Sequence, residues 1–366
     1  MQPITQPALA GVSELGAVLD RLAAVEPGDV AFLSCYLDAS AGRAACRRFL
    51  AEKAAAIRAT LHGNARLEFE NALTMVERQL ELQWHPDAKG LALFARSPAG
   101  GRHLSVLRLA VPMGNRLALY RLPEILPLVE LQEQQPPFTL LLARRGGLQV
   151  LDVDLGRTAP RAWSADVRGL RAAPGSRPPD GSVAPLDRAL QTIRRVVSAS
   201  TAPLLLAGDA DALDAVRQWL PRRAAARLAD CIEVPNHLEQ REAIDRVRTD
   251  LAEVRRVEGR RLAARLVRAM RRGSLAVAGE YATLEALCAG MAHTLVLSAD
   301  CDRSGIVQWD APIELSRLAW QHGARIVLAD SDELRYLGGV GCLLREPADA
   351  AAMPTPPRVE RLELVA

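Results

Sequence analysis

Residues 284–300 read "LEALCAGMAHTLVLSAD" and residues 314–330 read "ELSRLAWQHGARIVLAD". Each stretch opens with apolar residues at helical spacing, meets a glycine (Gly290, Gly323) and then becomes a short apolar run. Helix, glycine, strand, given twice, is the rhythm of an α/β sheet. "SLAVAG" (274–279) before it and "GVGCLLRE" (339–346) after it supply two further strands, the second reached by a short turn through Tyr336. The last hundred residues therefore read as a compact three-layer α/β domain.

Working outward, the same alternation recurs twice. "FTLLLAR" (138–144), a Gly146–Gly147 turn and "LQVLDVDLG" (148–156) predict a β-hairpin. A long loop rich in Pro, Asp and Gly leads to helix "PLDRALQTIRRVVSAS" (185–200), strand "APLLLAG" (202–208), helix "DALDAVRQWL" (211–220) and strand "CIEV" (231–234), a second α/β unit with a mixed sheet. Nearer the start, strand "VAFLSCYLD" (30–38), two helices over 43–62 and 65–83, and strands "GLALFA" (90–95) and "HLSVLRLAV" (103–111) make a third unit closing near Tyr120. Pro136 and Pro137 mark a boundary. The expected division is an N-terminal α/β domain over 1–135, a middle domain over 136–236, and a C-terminal domain over 237–366 led by a long polar helix with Gly259 as a kink.

A chain of 366 residues, 49% hydrophobic, has enough apolar material for two or three packed domains. Its net charge of +3 carries no overall polyanion signal, so any nucleic-acid surface has to come from local clustering. Lys53 and Lys89 are the only lysines, the other basic residues being Arg. Cys35, Cys46, Cys231, Cys288, Cys301 and Cys342 form no C-x-x-C pair and have no histidine at zinc-ligand spacing, which predicts free thiols in a reducing compartment and no metal. The start, "MQPITQPALAGVSELG", lacks a basic segment followed by an apolar one, and no stretch has about 18 uninterrupted apolar residues, so a soluble cytoplasmic protein without a membrane partner is expected.

Enzyme signatures are thin. No phosphate-binding glycine loop, H-E-x-x-H or G-x-S-x-G occurs, and no cofactor is expected. His237 and His293 sit at element boundaries and read as structural, and Asp300 and Asp302 lie at a strand end, where a cap or turn former is common. The basic run is the stronger signal: Arg255, Arg256, Arg260, Arg261, Arg265, Arg268, Arg271 and Arg272 have only Glu258 among them. Their spacings of three, four and seven place several on one helical face, either a solvated outer face or a surface that contacts phosphates.

On the residues quoted from its last third, the chain resembles the C-terminal domain of the archaeal and eukaryotic class I release factor and Pelota. In that family a helix ending in a small residue precedes a "tLLls" strand, a "HGA.v" turn starts the next strand, and a "GG.GAILR" ending closes the sheet. His322, Gly323, Ala324, Gly338, Gly339 and Gly341 match this pattern. "FLSCYLD", "GLALFA" and "FTLLLAR" are similar to the bacterial branch, which includes relatives of the ankyrin-repeat peptidyl-tRNA hydrolase of ribosome quality control. The resemblance runs from about Ala31 to Glu346 and is strong in the last domain. It implies a ribonuclease-H-like middle domain and a last domain with the fold of kink-turn-binding ribosomal proteins.

The resemblance also gives the long loop a role. In the family a Gly-Gly-Gln or Gly-Ser-Gln tip precedes the first long helix of the middle domain, reaches the peptidyl-transferase centre and orients water at the ester. Here that place holds Gly181, Ser182 and Val183, and a valine has no amide with which to hold water. Arg171 and Arg177 on the approach join Arg255, Arg256, Arg260, Arg261, Arg265 and Arg268 as candidate RNA contacts. The implied function is a ribosome-associated translation factor for rescue, quality control or hibernation that binds rRNA or tRNA. Two alternatives stay open: an active peptidyl-tRNA hydrolase in which another group positions the water, and a non-ribosomal α/β module for a small ligand or a protein. The first domain shows no codon-reading motif, and the family's GTPase partner has no residue-by-residue match here.

Overall fold

The computed structural model describes residues 8–28, 30–97, 103–144, 147–164, 191, 193–298 and 311–346. It is an α/β chain with three sheets, one in each expected segment. Two compact units emerge, one made of residues 1–134 with 254–366 and the other of 135–253.

In the first unit, β1 (Phe32–Asp38), β2 (Gly90–Arg96), β3 (His103–Leu109) and β4 (Arg116–Tyr120) form an antiparallel sheet of order β3-β2-β1-β4. β1 is central and buried on both faces, which is why "FLSCYL" is a nearly continuous apolar run and does not alternate. Its Leu33, Cys35 and Leu37 pack under α2 (Arg43–Thr60) and α3 (Gly63–Leu82), against Leu50, Phe69, Leu73 and Val76. Two helices not anticipated from the sequence complete this unit: α1 (Val12–Ala23), with Leu15, Val18, Leu19 and Leu22 buried, and α4 (Leu126–Gln134). Both pack against helix α10 (Ala311–Gln321), so residues from the two ends of the chain share one body.

That body also holds the C-terminal sheet of β10 (Ala276–Ala278), β11 (Ala292–Ser298), β12 (Arg325–Ala329) and β13 (Val340–Leu344), in the order β10-β13-β11-β12. Only β11 and β12 run parallel. They are joined across α10, as the two helix–glycine–strand stretches predict.

In the unit of residues 135–253, β5 (Phe138–Arg144), β6 (Gly147–Asp154), β7 (Arg157–Ser164), β8 (Leu204–Gly208) and β9 (Leu228–Glu233) follow the order β7-β6-β5-β8-β9. The first three are an antiparallel meander, while β5, β8 and β9 are parallel neighbours. The sheet is therefore mixed, as expected, and has one strand more than the hairpin read from the sequence. On one face α5 (193–199) and α6 (Ala210–Trp219) bury Ile193, Val197, Leu213 and Val216 against Leu141, Val150 and Leu206. On the other, Ala243, Ile244 and Val247 of α8 (Gln240–Arg271) cover Leu140, Leu142, Leu205 and Ala207.

α8 contributes its first half to the unit of residues 135–253 and its second half to the other unit. The apolar stripe that Ile244 and Val247 begin on this helix does not reach Val254, which is 53% exposed. Gly259, expected as a kink, lies within an unbroken helix. Its role is packing: a Cβ there would stand 2.8 Å from the Leu328 carbonyl oxygen, so the missing side chain lets the helix lie directly on β12.

Candidate nucleic-acid interface

The second half of α8 separates its residues by direction. Gly259, Ala263, Leu266 and Val267 are buried, and Ala263 and Leu266 join Val296, Ala329, Leu334 and Leu343 in the core of the C-terminal sheet. On the opposite face stand Arg261, Arg265, Arg268 and Arg272, all exposed, at spacings of four, three and four. At 3.6 residues per turn these spacings hold four guanidinium groups in one line along roughly three turns. None of the four has a carboxylate partner among the described residues. Arg256 and Arg260, also exposed, flank the line and have contacts of their own. Arg271 reaches Glu333 at 3.9 Å.

Arg255 is the exception in the run. It is half-buried, and its Nη1 donates to Glu258 Oε2 at 3.0 Å. The other oxygen of Glu258 accepts from Arg325 Nη1 at 2.8 Å, and Arg325 also reaches Glu133 Oε2 at 3.1 Å. The chain Arg255–Glu258–Arg325–Glu133 ties α8 to β12 and α4, so Arg255 holds the helix in place while the stripe faces outward. The hydrogen bond from Arg325, with its charge, holds the Glu258 carboxyl below its ordinary value, and the bonds to Glu258 and Glu133 raise Arg325. A carboxylate with a lowered folded value stabilises fully above the ordinary glutamate value of about 4.3, and that contribution fades as pH falls through the lower folded value. Glu258→Gln is accordingly expected to cost about 1 kcal/mol or less at neutral pH, since Glu258 is more than a third exposed. The cost should vanish in acid, and urea midpoints of both proteins across a pH series below 5 will show whether the two curves converge.

The loop-tip residues Gly181, Ser182 and Val183, and the loop arginines Arg171 and Arg177, lie outside the described residues, as do Asp300 and Asp302. The five described cysteines are free thiols, and burial pushes Cys342 up to about 12, which keeps it protonated and unreactive. Among the described residues no three metal-ligating side chains come together, and no helix is long and apolar enough to cross a membrane.

One polar cluster has no counterpart in the sequence reading. Glu124, 1% exposed, takes a two-pronged ion pair from Arg116, with Nη2–Oε1 at 2.6 Å and Nε–Oε2 at 2.8 Å. Its backbone is fixed as well: the N–H donates to Ser34 Oγ at 3.0 Å, and the Tyr36 hydroxyl donates to its carbonyl oxygen. Tyr36 and Arg116 border a pocket of about 380 Å³, shared with Met113, Asn115, Glu130 and Gln134. Two donors of the Arg116 fork are already committed to a buried carboxylate, so the cluster is built to hold β1, β4 and the start of α4 together and not to capture an anion. The available signal is a lone acid in the apolar run "LPEILPLV" (122–129).

No protein-family model matches this chain, and no curated protein does. Among solved structures, Pelota from Archaeoglobus fulgidus is similar at 15% identity over 93% of this chain and 93% of its own, with a TM-score of 0.35. The archaeal translation termination factor aRF1 is similar at 15% identity over 92% of this chain and 99% of its own, with a TM-score of 0.29. An archaeal Pelota in a model of the ribosome-bound state with ABCE1 is similar at 13% identity over 93% of this chain and 95% of its own, with a TM-score of 0.40. The similarity is distant and extends over most of the chain. With scores this low, the functional reading rests on the chain's own residues.

Proposed function

We propose that this chain is a ribosome-associated translation factor that binds rRNA or tRNA through the outer face of α8, in the manner of rescue, quality-control or hibernation factors. The observation that carries this reading is the line Arg261, Arg265, Arg268 and Arg272, opposite the buried face of the helix and without carboxylate partners among the described residues. A solvated helix face is ordinarily laced with acids at i,i+4, and a line of like charges without them repels itself unless a polyanion neutralises it. The pattern around His322, Gly323, Ala324, Gly338, Gly339 and Gly341 supports placing that helix beside a release-factor-like last domain. The order β7-β6-β5-β8-β9, with a meander on one side and parallel strands on the other, supports reading the sheet of residues 135–253 as ribonuclease-H-like. A division near residues 135 and 236, with a kink-turn-protein fold for the last part, completes the proposal. Val183 supplies no side-chain amide at the loop tip, which favours occupancy of the ribosome over hydrolysis of peptidyl-tRNA.

The test is co-sedimentation with ribosomes across a salt series. Changing Arg261, Arg265, Arg268 and Arg272 together to Gln is expected to weaken binding and to lower the slope of log affinity against log salt by about 0.7–0.9 per lost phosphate contact, about three in total. A folded variant with an unchanged slope returns the stripe to an ordinary solvated face. A wild-type chain that does not sediment with ribosomes removes the ribosomal reading altogether.

A further inference from the structure

A second concentration of positive charge lies in the unit of residues 135–253, on residues the α8 reading does not use. Between Ile193 and Arg227 the sequence has six arginines and three aspartates. Asp209 and Asp211 sit at the start of α6, where the helix dipole favours them, and Asp209 caps the helix by accepting from the Ala212 N–H at 2.8 Å; Asp214 follows in mid-helix. Arg222 and Arg223 come just beyond the other end of α6, which at 1.5 Å per residue is about 15 Å long.

Two of the six are occupied. Arg227 donates to the Val197 and Ala202 carbonyls at 2.7 and 2.6 Å, closing the end of α5, and Arg217 faces Asp214 at 3.8 Å. The remaining four, Arg194 and Arg195 on α5 and Arg222 and Arg223 on the single turn α7 (Arg222–Ala225), are exposed and have no carboxylate partner among the described residues. Trp219, at the end of α6, packs against one of them and stands just before the other pair in the chain. The Arg194 guanidinium lies 4.9 Å over its ring, with Nη2 3.4 Å from its carbonyl oxygen, and Arg222 and Arg223 follow Trp219 by three and four residues.

We infer that Arg194, held on Trp219, together with Arg195, Arg222 and Arg223, forms a second phosphodiester-binding surface that takes the backbone of an RNA strand; this rests on the reading that the chain works on RNA. Guanidinium chemistry carries the step. A guanidinium stacks through its face and hydrogen-bonds through its edge, so the indole that covers one face of Arg194 fixes its direction while leaving edge donors for phosphate oxygens. A cation held in place by its neighbour loses less freedom on binding than one on a free chain. Four like charges spread over two helices exceed what a single inorganic phosphate can neutralise, whereas a polyphosphate backbone meets them in succession.

The experiment uses the full chain and a fluorescently labelled single-stranded RNA oligonucleotide, with affinity measured across a potassium chloride series. The combined change Arg194→Gln, Arg195→Gln, Arg222→Gln and Arg223→Gln is expected to lower the log-log slope by about 0.7 for each lost contact, and to do so again when added to the α8 variant. All four residues are exposed, and circular dichroism will confirm that the variant is folded. An unchanged slope in this variant, with the α8 variant still reducing it, overturns the second surface and leaves the first. A reduced slope here with no effect of the α8 variant supports the second surface and removes the first. Absence of RNA binding by the wild type overturns this inference even if the chain sediments with ribosomes.

Discussion

Arg116→Met is expected to destabilise the unit that holds the N-terminal sheet by about 3–5 kcal/mol, the range for removing one partner of a buried ion pair. The loss comes from what remains. Methionine fills much of the space, but the Glu124 carboxylate, with a side chain only 2% exposed, loses both guanidinium bonds. Ser34 and Tyr36 hold its backbone on both sides, so the residue as a whole does not shift toward water. Protonation relieves the lost charge pairing, so the variant should recover part of its stability at low pH relative to wild type. The double change Arg116→Met with Glu124→Leu should regain most of the loss, since well-packed apolar replacements of a buried pair are often neutral or better. Urea unfolding of the wild type, the single and the double variant measures all three quantities. A single-variant loss below about 1 kcal/mol would mean that water reaches Glu124 and the pair behaves as a surface one.

How much of this arrangement can be read in the sequence depends on how local its cause is. β1, β2, β5, β8, β11 and β12 are legible because strands covered on both faces must be continuous apolar runs. β7 is hidden. It is an edge strand that tolerates Pro160, and it follows a two-residue turn of Leu155 and Gly156, both with positive φ. Asn-Gly in that place announces a hairpin, whereas leucine does not. Leu155 adopts the strained conformation while only 1% exposed, so its burial offsets the backbone cost. The shared body of residues 1–134 and 254–366 has no local sign at all. It is closed by pairs such as Trp320 Nε1 with Asp20 Oδ1 at 2.9 Å and Gln321 Nε2 with the Ala23 carbonyl at 2.7 Å, between residues that are individually unremarkable. The candidate interface divides in the same way. Helical periodicity alone places Arg261, Arg265 and Arg268 on one face and extends that face to Arg272. The pairing of Arg255 with Glu258 is an i,i+3 contact within reach of the same periodicity, but its anchoring to Arg325, 67 residues beyond Glu258, is not.

Gly208→Ala is expected to cost about 3 kcal/mol, the upper end of the range for overpacking a well-filled interior, with the damage confined to residues 135–253. The reason is what the new methyl group would meet. A Cβ at Gly208 would stand 2.2 Å from the Ala143 carbonyl oxygen and 3.1 Å from its carbonyl carbon, both backbone atoms of the neighbouring strand. No rotamer change can move them aside. Ala143 and Gly208 are register partners in the parallel pair of β5 and β8, so relief requires the two strands to part where their ladder ends. The residue after β9 adds resistance from the other side, since the Val234 N–H donates to the Gly208 carbonyl at 2.9 Å. Gly259→Ala makes the useful contrast. Its 2.8 Å approach to Leu328 O is less severe, a helix can shift as a body, and alanine returns up to about 1 kcal/mol of helix propensity, so its net cost should be clearly smaller. Native-state hydrogen exchange separates the two substitutions by place as well as by size. With Gly208→Ala, protection should fall in β5 and β8 and stay at the wild-type level in β1 and β2, which belong to the other compact unit. Unchanged protection of the β5 amides, or a loss spread equally over both units, would show that the close approach at Gly208 does not set the spacing of the middle sheet.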